Sequence, residues 1–186
     1  MTHRHRRRHF VRSGVALALG AATTQPAWSS VRVPPDHAEI ARLAFVNTHT
    51  GEALDVVYRE GPRYLNDALA EIDRVLRDHR NGDVHEIDRA LLDQLVQLRS
   101  LLDVGKRPFH VISGYRSPRT NALLAARSNG VATKSLHLEG RAIDIRMQGV
   151  QLPVLHRAAL SMQAGGVGYY ARPDFVHLDT GRVRRW

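Results

Sequence analysis

The stretch "SLHLEGRAIDIR", residues 135–146, sets the architecture of this chain. Ile143 and Ile145 alternate with Ala142, Asp144 and Arg146, the period-two pattern of a half-buried strand. The isoleucines therefore turn toward a core. Asp144 stands on the opposite face, beside an alanine small enough to leave room for it. Gly140 permits a tight turn that folds His137 back toward that face. A histidine seven residues before a strand aspartate is half of a metal site, or two ordinary polar residues.

The stretch "FVHLD", residues 175–179, repeats the pattern. Phe175, His177 and Asp179 share one face, and Val176 and Leu178 share the other. His177 thus joins His137 and Asp144 in a set of two histidines and one carboxylate. A zinc ion held this way keeps a fourth position for water, the arrangement of a catalytic site. The chain has 11 histidines, so each alone says little. From the residues alone, a metal site and a pair of ordinary strand histidines both stand open.

Upstream, "IARLAFVNTHT" and "EALDVVYREG" read as the two strands of a hairpin over residues 40–60. Apolar residues at three-and-four spacing give one helix from Tyr64 to Arg77 and a second from Asp88 to Leu102. "FHVISGYRSPRTN" is a strand running through a turn into a helix near Thr120, which stops at Asn129-Gly130. A last helix covers Pro153 to Met162. Strands and helices mix without regular alternation, so the fold class is α+β, with a mostly antiparallel central sheet flanked by helices.

Composition narrows the function. With 186 residues and 43% hydrophobic content the chain suits one globular domain, and no apolar run in the mature chain reaches a membrane span. The absence of cysteine leaves His, Asp and Glu as the available strong metal ligands. The net charge of +9 suggests nucleic acid, but residues 1–30 hold five arginines and no acid. Without them the charge is a modest +4, so nucleic-acid binding is not expected. That N-terminus runs from a basic start through a mild apolar stretch to "PAWSS", and its "RRHFVR" (Arg7–Arg12) resembles a twin-arginine export signal. Residues 1–29 are therefore expected to be a signal peptide read by the twin-arginine translocase, residues 30–39 a linker, and residues 40–186 a periplasmic domain.

In this order, "SGYRSPRTN", "SLHLEGRAIDI", "GGVGYY" and "FVHLDTG" resemble the peptidoglycan-cutting, M15-type zinc metallopeptidases related to D-Ala-D-Ala carboxypeptidases. In particular they resemble the branch of murein DD-endopeptidase K. The resemblance runs from about residue 43 to Trp186 and implies a hedgehog/DD-peptidase-like fold. It implies one Zn2+ per chain bound by His137, Asp144 and His177, with Arg116 beside it for the oxyanion or a substrate carboxylate. The implied substrate is peptidoglycan stem peptide, cut at crosslinks of the D-Ala–diaminopimelate type. Ser135 and Tyr169 are expected to touch it, with Tyr170 the other tyrosine that could wall the cleft and core packing the alternative for both.

The family also keeps an acid three residues before the last histidine, the place of Asp174. Strand parity points Asp174 away from His177, so a role as general base requires the chain to turn there. Asp179 has the right parity and is the alternative, as base or as partner of a ligand histidine. Three other functions are weighed against this one. An iron-dependent oxygenase would use "HLD" but needs a further histidine downstream, and none follows His177. A carboxypeptidase or a non-catalytic zinc-containing wall-binding module would keep the same ligands.

Overall fold

A computed structural model of the chain describes residues 39–127 and 132–186. The expected signal peptide and nearly all of the linker lie outside these residues, as does the helix stop at Asn129-Gly130. Strands β1 (Ile40–Asn47) and β2 (Ala53–Glu60) form the expected hairpin, with Phe45 opposite Leu54. Its turn is fastened by Asn47, whose Oδ1 accepts the backbone N–H of His49 and Thr50 at 3.0 and 3.2 Å.

After β3 (Arg63–Tyr64), helices α1 (Asn66–Val75) and α2 (Arg89–Leu102) lie where the apolar spacing puts them. Asp88 caps α2 by accepting the Ala90 N–H at 3.0 Å. Next come β4 (Phe109–Ser113), α3 (Pro118–Arg127), a short 3-10 turn (Leu136–Glu139) and β5 (Ala142–Arg146). The described chain closes with α4 (Leu152–Ser161), β6 (Gly166–Tyr170), β7 (Phe175–Asp179) and β8 (Arg184–Arg185). All eight strands join one sheet in the order β3-β2-β1-β4-β5-β7-β6-β8.

The sheet corrects one expectation: it is mixed, not mostly antiparallel. β4 runs parallel to β1, and β8 parallel to β6. Strand direction follows the connections. The chain leaves β1, returns through the hairpin, and is carried by α1 and α2 to the end where β1 started, so β4 enters alongside it.

One face of the sheet is the core. Leu43, Phe45, Phe109, Ile143, Ile145, Val176 and Leu178 pack there against buried residues of α1, α2 and α4, among them Ile72, Leu95 and Leu155. Each such side chain contributes about 1.5–3 kcal/mol by leaving water. The opposite face of β5, β7 and β6 carries Asp144, His177, Asp179 and Tyr170. No helix among the described residues is long and apolar enough to cross a membrane.

Candidate metal centre

Register and one turn bring the candidate ligands together. β5 and β7 pair antiparallel with Asp144 directly opposite His177, so equal parity on adjacent strands makes them neighbours. His137 arrives from the 3-10 turn, where its backbone N–H donates to Ser135 Oγ at 3.4 Å. The turn ends at Gly140 in the left-handed region, φ 64°. A Cβ there would run into the Glu86 carbonyl, so this return is open to glycine alone. Among the described residues, His137, Asp144 and His177 form a buried group whose ligand atoms all lie within 4.8 Å of one another.

Hydrogen bonds decide which nitrogen each ring offers. His137 Nδ1 lies 2.7 Å from the Gly114 carbonyl, which can only accept, so Nδ1 carries the proton and Nε2 faces the site. His177 is the reverse. Its Nε2 donates to Asp179 Oδ2 at 3.1 Å, and its Nδ1 faces Asp144 Oδ1 at 2.8 Å and His137 Nε2 at 3.3 Å. Two imidazole nitrogens and a carboxylate oxygen thus surround one point, with an acceptor behind each ring. That donor set fits zinc, and it leaves a fourth tetrahedral position for a ligand from outside the chain.

The electrostatics favour positive charge at that point. Burial pushes the Asp144 carboxyl up, but attraction to His137 and His177 outweighs it and holds it well below the usual carboxylate range. Burial also opposes the His177 cation, yet hydrogen bonds to Asp144 and Asp179 prevail and raise its pKa. Asp179 is itself held low: burial is outweighed by His177, Arg184 and the N–H groups of Gly181 and Gly166. Arg184 grips it with two nitrogens, at 3.0 and 2.6 Å, so both Asp179 oxygens are engaged.

Arg116 stands on the other side of the ligands. Its Nη2 is 3.8 Å from Asp144 Oδ2, and its backbone N–H donates to the His137 carbonyl at 3.0 Å. Asn121 and Ser113 accept from its guanidinium, each at 3.3 Å. A loop distant in sequence braces this turn. Tyr115 N–H donates to the Leu76 carbonyl at 2.8 Å, and buried Asp78 accepts the Ser117 N–H and hydroxyl at 3.0 and 2.8 Å. Sequence reasoning missed Asp78, whose only signal was its place in "LRDHRNG".

A cleft of about 290 Å³ opens over the ligands, and Arg116, Lys134, Ser135, Tyr170 and Trp186 are among its walls. Tyr169, expected to touch substrate, is not. Alternation along β6 puts it with Val167 on the helical face, where its ring lies 4.9 Å from that of His156 in α4. Tyr170 takes the place in the cleft, stacked on Phe175 at 4.5 Å. Gly166 and Gly168 share the Tyr170 side of β6, where a Cβ would meet the chain's own Asp179, Arg184 and Trp186.

Asp174 is not brought among the ligands. It adopts a left-handed turn, φ 56°, just before β7, so the chain does turn there. Its exposed carboxylate lies 3.6 Å from Arg146 Nη1, and it is outside the cleft-lining residues.

Comparison with known proteins finds relatives over nearly the whole chain. Residues 36–186 match the model of an M15-type peptidase family described as peptidoglycan L,D-endopeptidase MepK. The peptidoglycan L,D-endopeptidase MepK of Escherichia coli (strain K12) is 42% identical over 182 residues, covering 98% of this chain and 97% of that protein. A probable peptidoglycan L,D-endopeptidase MepK of Haemophilus influenzae is 39% identical over 144 residues, 77% of each chain.

Proposed function

The chain belongs to the M15-type peptidase family of the peptidoglycan L,D-endopeptidase MepK, and from that premise we propose a zinc-dependent murein endopeptidase that cuts peptide crosslinks of peptidoglycan. One observation carries the zinc part of this reading. His137 Nε2, Asp144 and His177 Nδ1 converge on one point, with Gly114 and Asp179 fixing the two rings. When bound there, zinc supplies a Lewis acid for the scissile carbonyl and lowers the pKa of a water to about 7.

The remaining roles fall to the chain's own residues. Asp179 orients His177 and is already saturated with donors, which favours Asp174 as the general base. The turn at Asp174 frees its carboxylate from the strand, in keeping with that role. Arg116, half-buried and 3.8 Å from Asp144, stabilises the oxyanion of the tetrahedral intermediate or holds a substrate carboxylate. Ser135, on the cleft wall, contacts the substrate backbone.

For the bond, we follow the relatives' names, which specify L,D, where the sequence led us to expect the D-Ala–diaminopimelate type. The hedgehog/DD-peptidase-like arrangement, export by the twin-arginine translocase and residence in the periplasm belong to the same proposal. "RRHFVR" and a peptidoglycan substrate support the last two. Replacing Arg7 and Arg8 by Lys should strand the precursor in the cytoplasm, and unchanged export would refute the route.

The test of function is digestion of L,D- and D,D-crosslinked muropeptide dimers, read by mass spectrometry. L,D-linked dimers should fall to monomers, and a chelator should stop the reaction. Preference for D,D-linked dimers would move the bond class. Loss of a terminal D-alanine alone would make the protein a carboxypeptidase, and zinc binding without turnover would make it a wall-binding module.

A further inference from the structure

Trp186 has an unusual setting for a tryptophan. It is 49% exposed, so it is not core, yet it is fastened on several sides. Its indole N–H donates to Tyr170 Oη at 2.8 Å, and the Arg184 guanidinium lies over its ring at 4.9 Å. Its backbone pairs with β6, through Tyr169 N–H to its carbonyl at 3.0 Å and its own N–H to Val167 at 3.3 Å. Gly168 lies under the ring, where a Cβ would come within 2.7 Å of the indole.

This fixed, half-open ring stands beside the metal ligands. Its centroid is 5.2 Å from that of His177. The sheet order puts Arg116, after β4, on one side of the Asp144–His177 pair and Trp186, after β8, on the other. Lys134 belongs to the Arg116 side, because Asn121 bonds both Arg116 and the carbonyl of Ala132. The cleft therefore has a cationic wall and an aromatic wall, with the ligands between them.

We propose that Trp186, supported by Tyr170, is the wall against which the aliphatic part of the residue next to the scissile amide packs, opposite cationic Arg116 and Lys134. This rests on the peptidase reading above. A ring this close to a ligand histidine reaches only groups within about one residue of the reacting carbonyl, so it meets peptide rather than the distant sugar. The half of the indole left exposed is already held in place, so contact there comes at little entropic cost.

The chain's two tryptophans are Trp28 and Trp186, so Trp28→Phe in the full chain leaves Trp186 as sole reporter. In the zinc-loaded Trp28→Phe, Asp174→Ala protein, the crosslinked muropeptide dimer should shift Trp186 emission saturably. In turnover, Trp186→Ala should raise KM about tenfold, as losing roughly 55 Å² of apolar contact would. Its kcat should stay within about threefold and its zinc content at one per chain, while Trp186→Phe stays close to the parent. The wall is overturned if turnover proceeds but emission never shifts, or if Trp186→Ala leaves KM unchanged. It is overturned too if that variant loses zinc and kcat together, which would mean that the ring only props Arg184 and Asp179. If zinc binds yet no muropeptide is cut and emission is silent, the peptidase reading fails and the wall falls with it.

Discussion

Along β5 and β7 the two faces of the sheet differ residue by residue. Ile143, Ile145, Val176 and Leu178 are sealed beneath helices, and Asp144, His177 and Asp179 on the other face are nearly as deeply buried. Apolar packing on the first face is non-directional, and it tolerates substitutions of similar shape. On the second face each buried polar atom needs its particular partner: Gly114 for one ring, Asp179 for the other, Arg184 for Asp179. Stability should therefore divide from chemistry along the plane of the sheet.

The largest test of that division is His177→Ala. It should take zinc from one per chain to none and hydrolysis below detection, while circular dichroism shows the fold retained. Collapse of the fold would mean that the polar face also carries the structure. Asp174→Ala comes next, with kcat lower by about 10²–10⁴-fold and zinc unchanged by metal analysis. Asp179→Ala should instead weaken zinc about 10–100-fold in chelator competition, with a milder loss of kcat when zinc is saturating. If these two variants swap behaviour, Asp179 is the base.

On the apolar face, Ile143→Val should lower unfolding free energy by about 1 kcal/mol in urea titration and leave zinc affinity alone. A parallel loss of zinc would join the two faces. The gentlest effect is one of pH. Burial, then the charge of Arg80, pushes His79, stacked on His49 at 3.8 Å, down to about 4 from the ordinary 6.5. Its neutral form belongs to the folded state, so the stability it contributes above pH 6.5 is lost as pH falls toward about 4. His79→Gln should flatten that acid limb of the urea midpoint.

Parity made much of this legible. Two five-residue strands with clean alternation identified Asp144, His177 and Asp179 as one face, and helical spacing located α1, α2 and α4 to within two residues at either end. Strand direction was not legible, because it depends on where the helices deliver the chain. Which tyrosine of "GVGYY" enters the cleft was not legible, because the stretch has no polar–apolar alternation to fix its phase. Trp186 follows a two-residue strand and left no periodic trace, although Gly168 opposite His177 marked the space it fills. Asp78 acts across 39 residues of sequence, beyond the reach of any local pattern.

The central claim is that the polar face holds one zinc between His137 Nε2, Asp144 and His177 Nδ1. Anomalous diffraction at the zinc edge, from crystals of the zinc-loaded protein, tests it most directly. The expected result is a single peak about 2.0–2.2 Å from those two nitrogens and an Asp144 oxygen. A peak bound through His177 Nε2, a peak elsewhere in the chain, or none at all would contradict it.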